Sequence, residues 1–185
     1  KENIIYLDCN YMKKPINHKL NKNFNILFWY RGNVKIRDWL NTINGLRYDN
    51  IYYYELIDPS YEKENLPINF IKENKIKVIK SNYKNNNRIF LKYLKNSIIF
   101  VAPRKKEGIG MSIVEAMRHC KFIIGYDENT LNQYIVNNKL GIFYDKFNRN
   151  ILSKKQIIKN KNFRYKYYNN LYFKWKKQES RIEDF

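Results

Sequence analysis

The sequence predicts an α/β fold, a Rossmann-like, doubly wound parallel sheet of about six strands with helices on both faces. Near-continuous apolar runs recur along the chain, as expected of strands that are buried on both faces. Segments with helical periodicity lie between these runs, and glycine, proline and aspartate mark the turns. A chain of 185 residues is long enough to bury one such core. In this fold, ligands bind beyond the carboxyl ends of the strands.

The predicted elements follow one another in a regular order. The first helix is indicated by Ile36, Trp39, Leu40 and Ile43, which share one helical face, and by Gly45 at the position of a C-cap. The predicted strands are 24–30, 51–57, 75–80, 97–102, 121–125 and 140–144. The predicted helices are 36–43, a short one after Pro67, one around Phe90, Tyr93 and Leu94, 112–120 and 130–137.

We divide the chain into three parts. Residues 1–23 are interpreted as an interdomain segment or edge strand, residues 24–149 as the Rossmann-like domain, and residues 150–185 as a basic, aromatic C-terminal helix. Apolar side chains in the last part recur at helical spacing, which favours a terminal helix packed on the domain. Contact of this helix with a second domain or a membrane surface is the alternative.

The net charge of +19 has two explanations. The chain is rich in Lys, Asn, Ile and Tyr, as the proteins of an AT-rich genome are, and its basic residues are spread along its length. We therefore favour compositional bias, with weak attraction to an anionic membrane surface, over specific nucleic-acid binding. A basic nucleic-acid-binding module remains the alternative, although the tyrosines fall mostly on strands and helix faces rather than in a basic groove.

Cysteine and histidine content argues against a disulfide framework or a metal site. Cys9 and Cys120 lie far apart, and His18 and His119 are the two histidines. The sequence opens with Lys1 and contains no apolar run of the roughly 20 residues that span a bilayer. We expect a cytoplasmic protein that needs no metal, and a fragment of a longer chain.

The segment from Phe100 to Tyr126 carries the chemistry. It contains a buried strand, a glycine turn between Glu107 and Glu115, a helix and a second buried strand. The helix amides and dipole suit a diphosphate, and Gly108 and Gly110 allow the backbone to approach it closely. A glutamate in the helix can accept hydrogen bonds from a ribose diol. These features indicate a nucleotide-sugar site.

Each of these carboxylates also has a structural interpretation. Ser112 and Glu115 have the spacing of a capping box, in which the glutamate reaches back to a backbone amide. Glu107 has Lys105 or Lys106 as a solvated ionic partner. For Glu115 the sequence leaves the two interpretations evenly balanced.

The same segment resembles the donor-binding motif of retaining GT-B glycosyltransferases, specifically glycosyltransferase family 4 (glycosyl transferases group 1). In that family a strand ends in proline, and a Glu-Gly-Phe-Gly turn and a Glu-Ala-Met sequence follow. The matching residues are Pro103, Glu107-Gly108-Ile109-Gly110 and Glu115-Ala116-Met117. The strand order from about Phe24 to Tyr144 is similar to that of the family's C-terminal domain, which implies the donor-binding half of a GT-B fold.

The resemblance implies roles for individual residues. Glu107 and Arg31 would be catalytic, Glu107 at the donor sugar and Arg31 at the departing diphosphate. The position of a second family cation holds Ile36, with Lys35 and Arg37 on either side, and Lys35 is the one that we assign to the donor site. The further donor-binding residues would be Gly108, Ile109, Gly110, Met111 and Ser112 at the diphosphate, Glu115 at the ribose, and Tyr83 stacked on the base.

The sequence departs from the family pattern in two places. The residues Arg118 to Phe122 stand where the family has a small residue, Cys, Gly, any residue and Pro, and we interpret His119 there as structural. The residues Asp127 to Thr130 replace a glycine-rich turn that lies near the donor sugar in the family. For that reason the donor sugar cannot be inferred.

The resemblance implies transfer of a hexose or related sugar from a UDP- or GDP-sugar to a glycan or lipid-linked acceptor. The pathway it suggests is bacterial surface polysaccharide or lipopolysaccharide synthesis, and the cellular site is the cytoplasm or the inner face of the membrane. The N-terminal GT-B domain would come from the same protein or from a partner chain. The alternatives are an epimerase-like sugar-nucleotide enzyme, a non-catalytic GT-B domain and the nucleic-acid-binding module.

Overall fold

A computed structural model describes residues 12–19, 21–31, 34–42, 46–56, 63–81, 86–102, 110–126, 134–143 and 153–183. The strands within these residues are β1 (Asn25–Tyr30), β2 (Asn50–Leu56), β3 (Ile76–Ser81), β4 (Ile99–Ala102), β5 (Phe122–Gly125) and β6 (Gly141–Phe143). The helices are α1 (Ile36–Thr42), α2 (Ile68–Glu73), α3 (Asn86–Lys95), α4 (Met111–Arg118), α5 (Lys154–Lys159) and α6 (Lys161–Glu183).

The described strands form one parallel sheet of six in the order β3-β2-β1-β4-β5-β6. This order is that of a doubly wound Rossmann-like sheet and confirms the predicted fold class. The chain moves outward from β1 to β3 and then returns to pair β4 with the other side of β1. The strand order therefore reverses between β1 and β4, and in such sheets the ligand crevice lies at the carboxyl edge at that point.

The sheet is covered on both faces, which explains why its central strands, β1 and β4, are almost entirely apolar. Phe28 packs on one face with Trp39 of α1 and Ile157 of α5. Leu27, its neighbour in β1, points to the other face, where Phe90 of α3 lies. The side chains of Ile113 (α4) and Tyr168 (α6) complete the core on that second face. Alternate residues of a single strand thus fill two separate cores.

The predicted strands agree with the observed strands to within about two residues at each end. Among the predicted helices, the one at 130–137 is not confirmed. Its first part lies outside the described residues, and residues 134–137 are not helical. Residues 1–11, and with them the strand-like run at Ile4–Leu7, also lie outside the described part of the chain.

The C-terminal helix α6 is attached to the domain through its first half. Arg164 is 3 % exposed, and its Nε donates to the carbonyl of Cys120 at 2.8 Å. Burial lowers the pKa of this guanidinium to about 10. Farther along the helix, Phe173 is 59 % exposed. None of the described helices is both long and apolar enough to cross a membrane.

The backbone conformation of Lys75, between α2 and β3, leads to a prediction about stability. It has a φ of 49°, in the left-handed region, where a side chain costs about 1 kcal/mol and glycine is unstrained. We expect Lys75→Gly to raise the free energy of unfolding by about 1 kcal/mol in urea titrations, because the side chain is exposed. Lys75→Ala keeps the strain and should leave stability nearly unchanged. Equal stability of the two variants would contradict the strain argument.

Candidate functional site

The crevice at the carboxyl edge lies between β1 and β4, which are neighbours in the sheet. Arg31 directly follows β1, and Gly110 precedes α4, the helix that follows β4. Because the strands are parallel, both residues lie at the same edge of the sheet. Residues 103–109, which connect β4 to Gly110, lie outside the described residues.

A cavity of about 490 Å³ lies between β1, α3 and α4. Its volume is in the range of pockets that hold small molecules. The wall combines an aromatic and aliphatic surface with a carboxylate and two cations. Its lining residues are Lys13, Trp29, Asn87, Phe90, Leu91, Met111, Ser112, Val114, Glu115 and Arg118.

The start of α4 supplies hydrogen-bond donors to this region. Gly110 is the N-cap, with φ 64° and ψ 43°, a left-handed conformation that favours glycine. Its carbonyl accepts from the amides of Ile113 (2.8 Å) and Val114 (3.1 Å). The amides of Met111 and Ser112 bond to no acceptor among the described residues. These amides and the positive end of the helix favour an anionic ligand.

The capping-box interpretation of Glu115 is wrong. Ser112 lies inside α4 rather than at its N-cap, which is Gly110, and no side chain of the described residues caps the start of this helix. The carboxylate of Glu115 instead faces the C-terminal end of the helix, where its Oε1 accepts from Arg118 Nη1 at 2.8 Å. A serine cap does occur at α5, where Ser153 Oγ accepts from the amide of Gln156.

Glu115 is held as a charged acceptor beside the cavity. Its Oε1 also lies 3.1 Å from Nε2 of His119, and its side chain is 22 % exposed. Burial alone would raise the pKa of the carboxyl, but the hydrogen bond from His119 and the positive charge of Arg118 outweigh it and lower the pKa. The carboxylate is therefore ionised at neutral pH, as an acceptor for hydroxyl groups must be.

The predicted cations lie on the loop after β1. The guanidinium of Arg31 lies over the indole ring of Trp29, with 5.3 Å between its Cζ and the ring centroid. Lys35 is exposed, whereas Ile36 is fully buried in the core. A side chain at position 36 thus packs in the core against one face of the sheet. The guanidinium of Arg37 lies over Phe70 of α2, at 5.1 Å.

Four predicted site residues lie outside the described part of the chain. They are Glu107, Gly108, Ile109 and Tyr83. Their assigned roles stay predictions. The described members of the set, namely Arg31, Lys35, Gly110, Met111, Ser112 and Glu115, lie on the β1 loop or on α4.

The cavity contains residues that the sequence analysis did not single out. Trp29 belongs to an apolar run that was interpreted as a core strand, yet its ring lines the cavity. Its Nε1 is buried and finds no acceptor among the described residues. Lys13 and Asn87 are further lining residues. Nothing in their local sequence marks them, because a cavity wall assembled from separate elements has no sequence period.

Comparison with known proteins identifies the family. The family model described as glycosyl transferases group 1 matches residues 58–172, more than half of the chain. The chain belongs to this family. The match includes the segment from Glu107 to Met117 and ends within α6, whereas Arg31 lies before it. No curated protein matches the chain in sequence.

A solved structure agrees with the fold of this glycosyltransferase domain. The crystal structure of TarM superposes with a TM-score of 0.57 at 16 % sequence identity. The alignment covers 94 % of this chain and 36 % of that one, so the chain spans about a third of TarM. At this identity the likeness shows the fold, which is the Rossmann-like α/β fold of GT-B enzymes.

Proposed function

We propose that this chain is the donor-binding domain of a retaining glycosyltransferase of family 4. It moves a hexose or related sugar from a UDP- or GDP-sugar to a glycan or lipid-linked acceptor. The observation that carries the proposal is the cavity, because it is lined both by the ionised Glu115 and by Met111 and Ser112, whose amides bond to no acceptor among the described residues. A nucleoside diphosphate needs that combination, an anion site next to an acceptor for hydroxyls.

In this proposal the protein acts chiefly on the leaving diphosphate. The amides from Ile109 to Ser112, the dipole of α4 and the cation of Arg31 stabilise the charge that develops there. Lys35 is the second cation, and no metal is required. Glu107 contacts the donor sugar near the reacting carbon. The leaving phosphate assists the incoming hydroxyl on the same face, which retains the configuration of the sugar.

The acceptor and the location belong to the same proposal. A second domain, in the same protein or in a partner chain, supplies the acceptor site, since this chain spans about a third of TarM. The net charge of +19 would draw the domain towards an anionic membrane surface, where a lipid-linked acceptor lies. Bacterial surface polysaccharide or lipopolysaccharide synthesis is the pathway that fits such an acceptor. Nucleic acid is not an expected partner.

Calorimetric titration with UDP, GDP and their sugar conjugates, without added metal, tests the proposal. We expect saturable binding of one nucleotide, weakened about 10- to 100-fold by Glu115→Ala, since hydrogen bonds to charged groups contribute about 1.5–3 kcal/mol. Glu179→Ala is the matched control, because Glu179 also pairs with a cation three residues away but lies on α6. It should bind like the unmodified protein.

Two results would count against the proposal. If Glu115→Ala lowered the melting temperature and left nucleotide affinity unchanged, Glu115 would have a structural role only. If the domain bound oligonucleotides with a steep salt dependence, and Glu115→Ala did not change that binding, the nucleic-acid-binding alternative would replace the proposed function.

A further inference from the structure

The two oxygens of Glu115 have different surroundings. Oε1 accepts from both Arg118 Nη1 (2.8 Å) and His119 Nε2 (3.1 Å). A carboxylate oxygen has two lone-pair sites, so Oε1 is saturated. Oε2 receives no hydrogen bond from the described residues, and the side chain lines the cavity. Oε2 is therefore the oxygen that is open to a ligand hydroxyl while the carboxylate keeps this rotation.

His119 is placed to keep that rotation. Its ring is 2 % exposed, and its Nδ1 lies 2.8 Å from Nε2 of His18. A carboxylate can only accept, so Nε2 of His119 carries the proton that it shares with Glu115. In the neutral ring Nδ1 is then an acceptor, and Nε2 of His18 must be the donor. The two rings lie nearly parallel, with centroids 4.8 Å apart.

The surroundings of His18 favour this donor role. Burial lowers the pKa of His18 to about 4, and the charge of Lys121 acts in the same direction. The ring is therefore neutral at physiological pH and has one N–H to donate. With that N–H directed at His119, the tautomers of both rings are fixed. His18 then donates to His119, and His119 donates to Glu115.

The segment that carries His18 is itself tied down. Residues 12–19 run past the C-terminal end of α4, where the amide of Ile16 donates to the carbonyl of Arg118 at 2.9 Å. Lys161 Nζ, at the start of α6, donates to the carbonyl of His18. The orienting group is thus anchored on two helices that pack against each other.

We propose that His119 is a positioning residue for Glu115, that His18 fixes its tautomer, and that Glu115 recognises the ribose hydroxyls of the donor through Oε2 alone. This inference rests on the proposed function. It assigns a role to the segment 12–19 and to His119, one of the positions where the sequence departs from the family pattern. A rotated carboxylate would still be charged but would not present Oε2 to the hydroxyls.

The test compares the affinities of the 185-residue chain for UDP or GDP, whichever binds, with those for the 2′-deoxy form of the same nucleotide. The unmodified protein should prefer the ribose form by about 10-fold or more, as expected for a hydrogen bond to a carboxylate. His119→Asn should reduce that preference to within about 3-fold. His119→Gln should retain most of it. Gln places an amide nitrogen where Nε2 of His119 lies, and Asn cannot reach that point, so the two variants differ in reach rather than polarity.

His18→Ala removes the donor to His119 without touching Glu115, and should reduce the preference to an intermediate value. Melting temperatures of all variants are measured alongside. If folded His119→Asn kept the full preference, or lost affinity for both nucleotides equally, His119 would have no positioning role. Should Glu115→Ala itself leave nucleotide affinity unchanged, the proposed function would fail first. If the preference for the ribose form were lost in Glu115→Ala but kept in His119→Asn, only the positioning role of His119 would be contradicted.

Discussion

Raising the pH from about 7 to about 9.5 should stabilise the fold by about 3 kcal/mol through the single side chain of Lys121. This residue is 6 % exposed at the start of β5, and its Nζ donates to the carbonyls of Ser97 (2.6 Å) and Lys95 (3.2 Å). Burial lowers the pKa of the ammonium to about 7.

The direction follows from the proton balance. In the unfolded chain the pKa of a lysine is about 10.4, so the unfolded state holds the proton throughout this range while the folded state releases it. Stability rises with pH wherever the unfolded state binds more protons, by at most about 1.4 kcal/mol per pH unit. The penalty of burying the ammonium is greatest below the folded pKa and disappears as the pH approaches the unfolded value.

Urea denaturation at several pH values, with Lys121→Met as the comparison, isolates this contribution. Met keeps most of the aliphatic volume and cannot titrate. The buried thiol of Cys120 acts in the opposite direction, because burial raises its pKa and the unfolded state ionises first. Because Lys121 is one of the charges that lower the pKa of this thiol, both proteins carry Cys120→Ala, which removes the contribution of the thiol. If the free energies of unfolding of the two proteins changed with pH in parallel, the carbonyls of Ser97 and Lys95 would keep Lys121 charged in the folded protein.

Arg31→Ala should weaken the binding of a nucleoside diphosphate by about 100-fold and leave the affinity for the bare nucleoside within about 2-fold. A guanidinium binds phosphate oxygens through two parallel hydrogen bonds, and such charged bonds contribute about 1.5–3 kcal/mol each. The side chain lies at the carboxyl edge of the sheet with its guanidinium against Trp29, which limits its motion. Titration calorimetry with the two ligands measures the difference.

Two further variants separate position from charge. Arg37→Ala removes the same charge from an arginine that also stacks on an aromatic ring, but that ring belongs to Phe70 of α2. Its effect on diphosphate affinity should be small. Arg31→Lys keeps the charge but lacks the planar guanidinium that can donate two parallel hydrogen bonds, and it should give an intermediate affinity for the diphosphate. Equal losses in Arg31→Ala and Arg37→Ala would reduce the role of Arg31 to general electrostatic attraction.

The sheet could be predicted because its signal is local. Residues 24–30 and 97–102 are almost entirely apolar, which indicates burial on both faces, and the observed β1 and β4 lie at the centre of the sheet. Gly110 was likewise recognisable, since a helix that starts from a left-handed residue favours glycine. The helix predicted for 130–137 rested on a short stretch, and its described part is not helical.

Local sequence was enough to predict the parallel α/β fold, the turn at Gly110 and the resemblance carried by Glu107 to Met117, because each depends on residues close together in the chain. The spacing of Ser112 and Glu115, in contrast, fits a capping box and a ligand role equally, and the packing of the folded chain excludes the capping box. Glu115 pairs there with Arg118 and His119, and His119 meets His18, which lies 101 residues away in the chain. The cavity wall formed by Trp29 and Lys13 arises in the same way. Such contacts are set by the packing of separate elements, and packing leaves no period in the sequence.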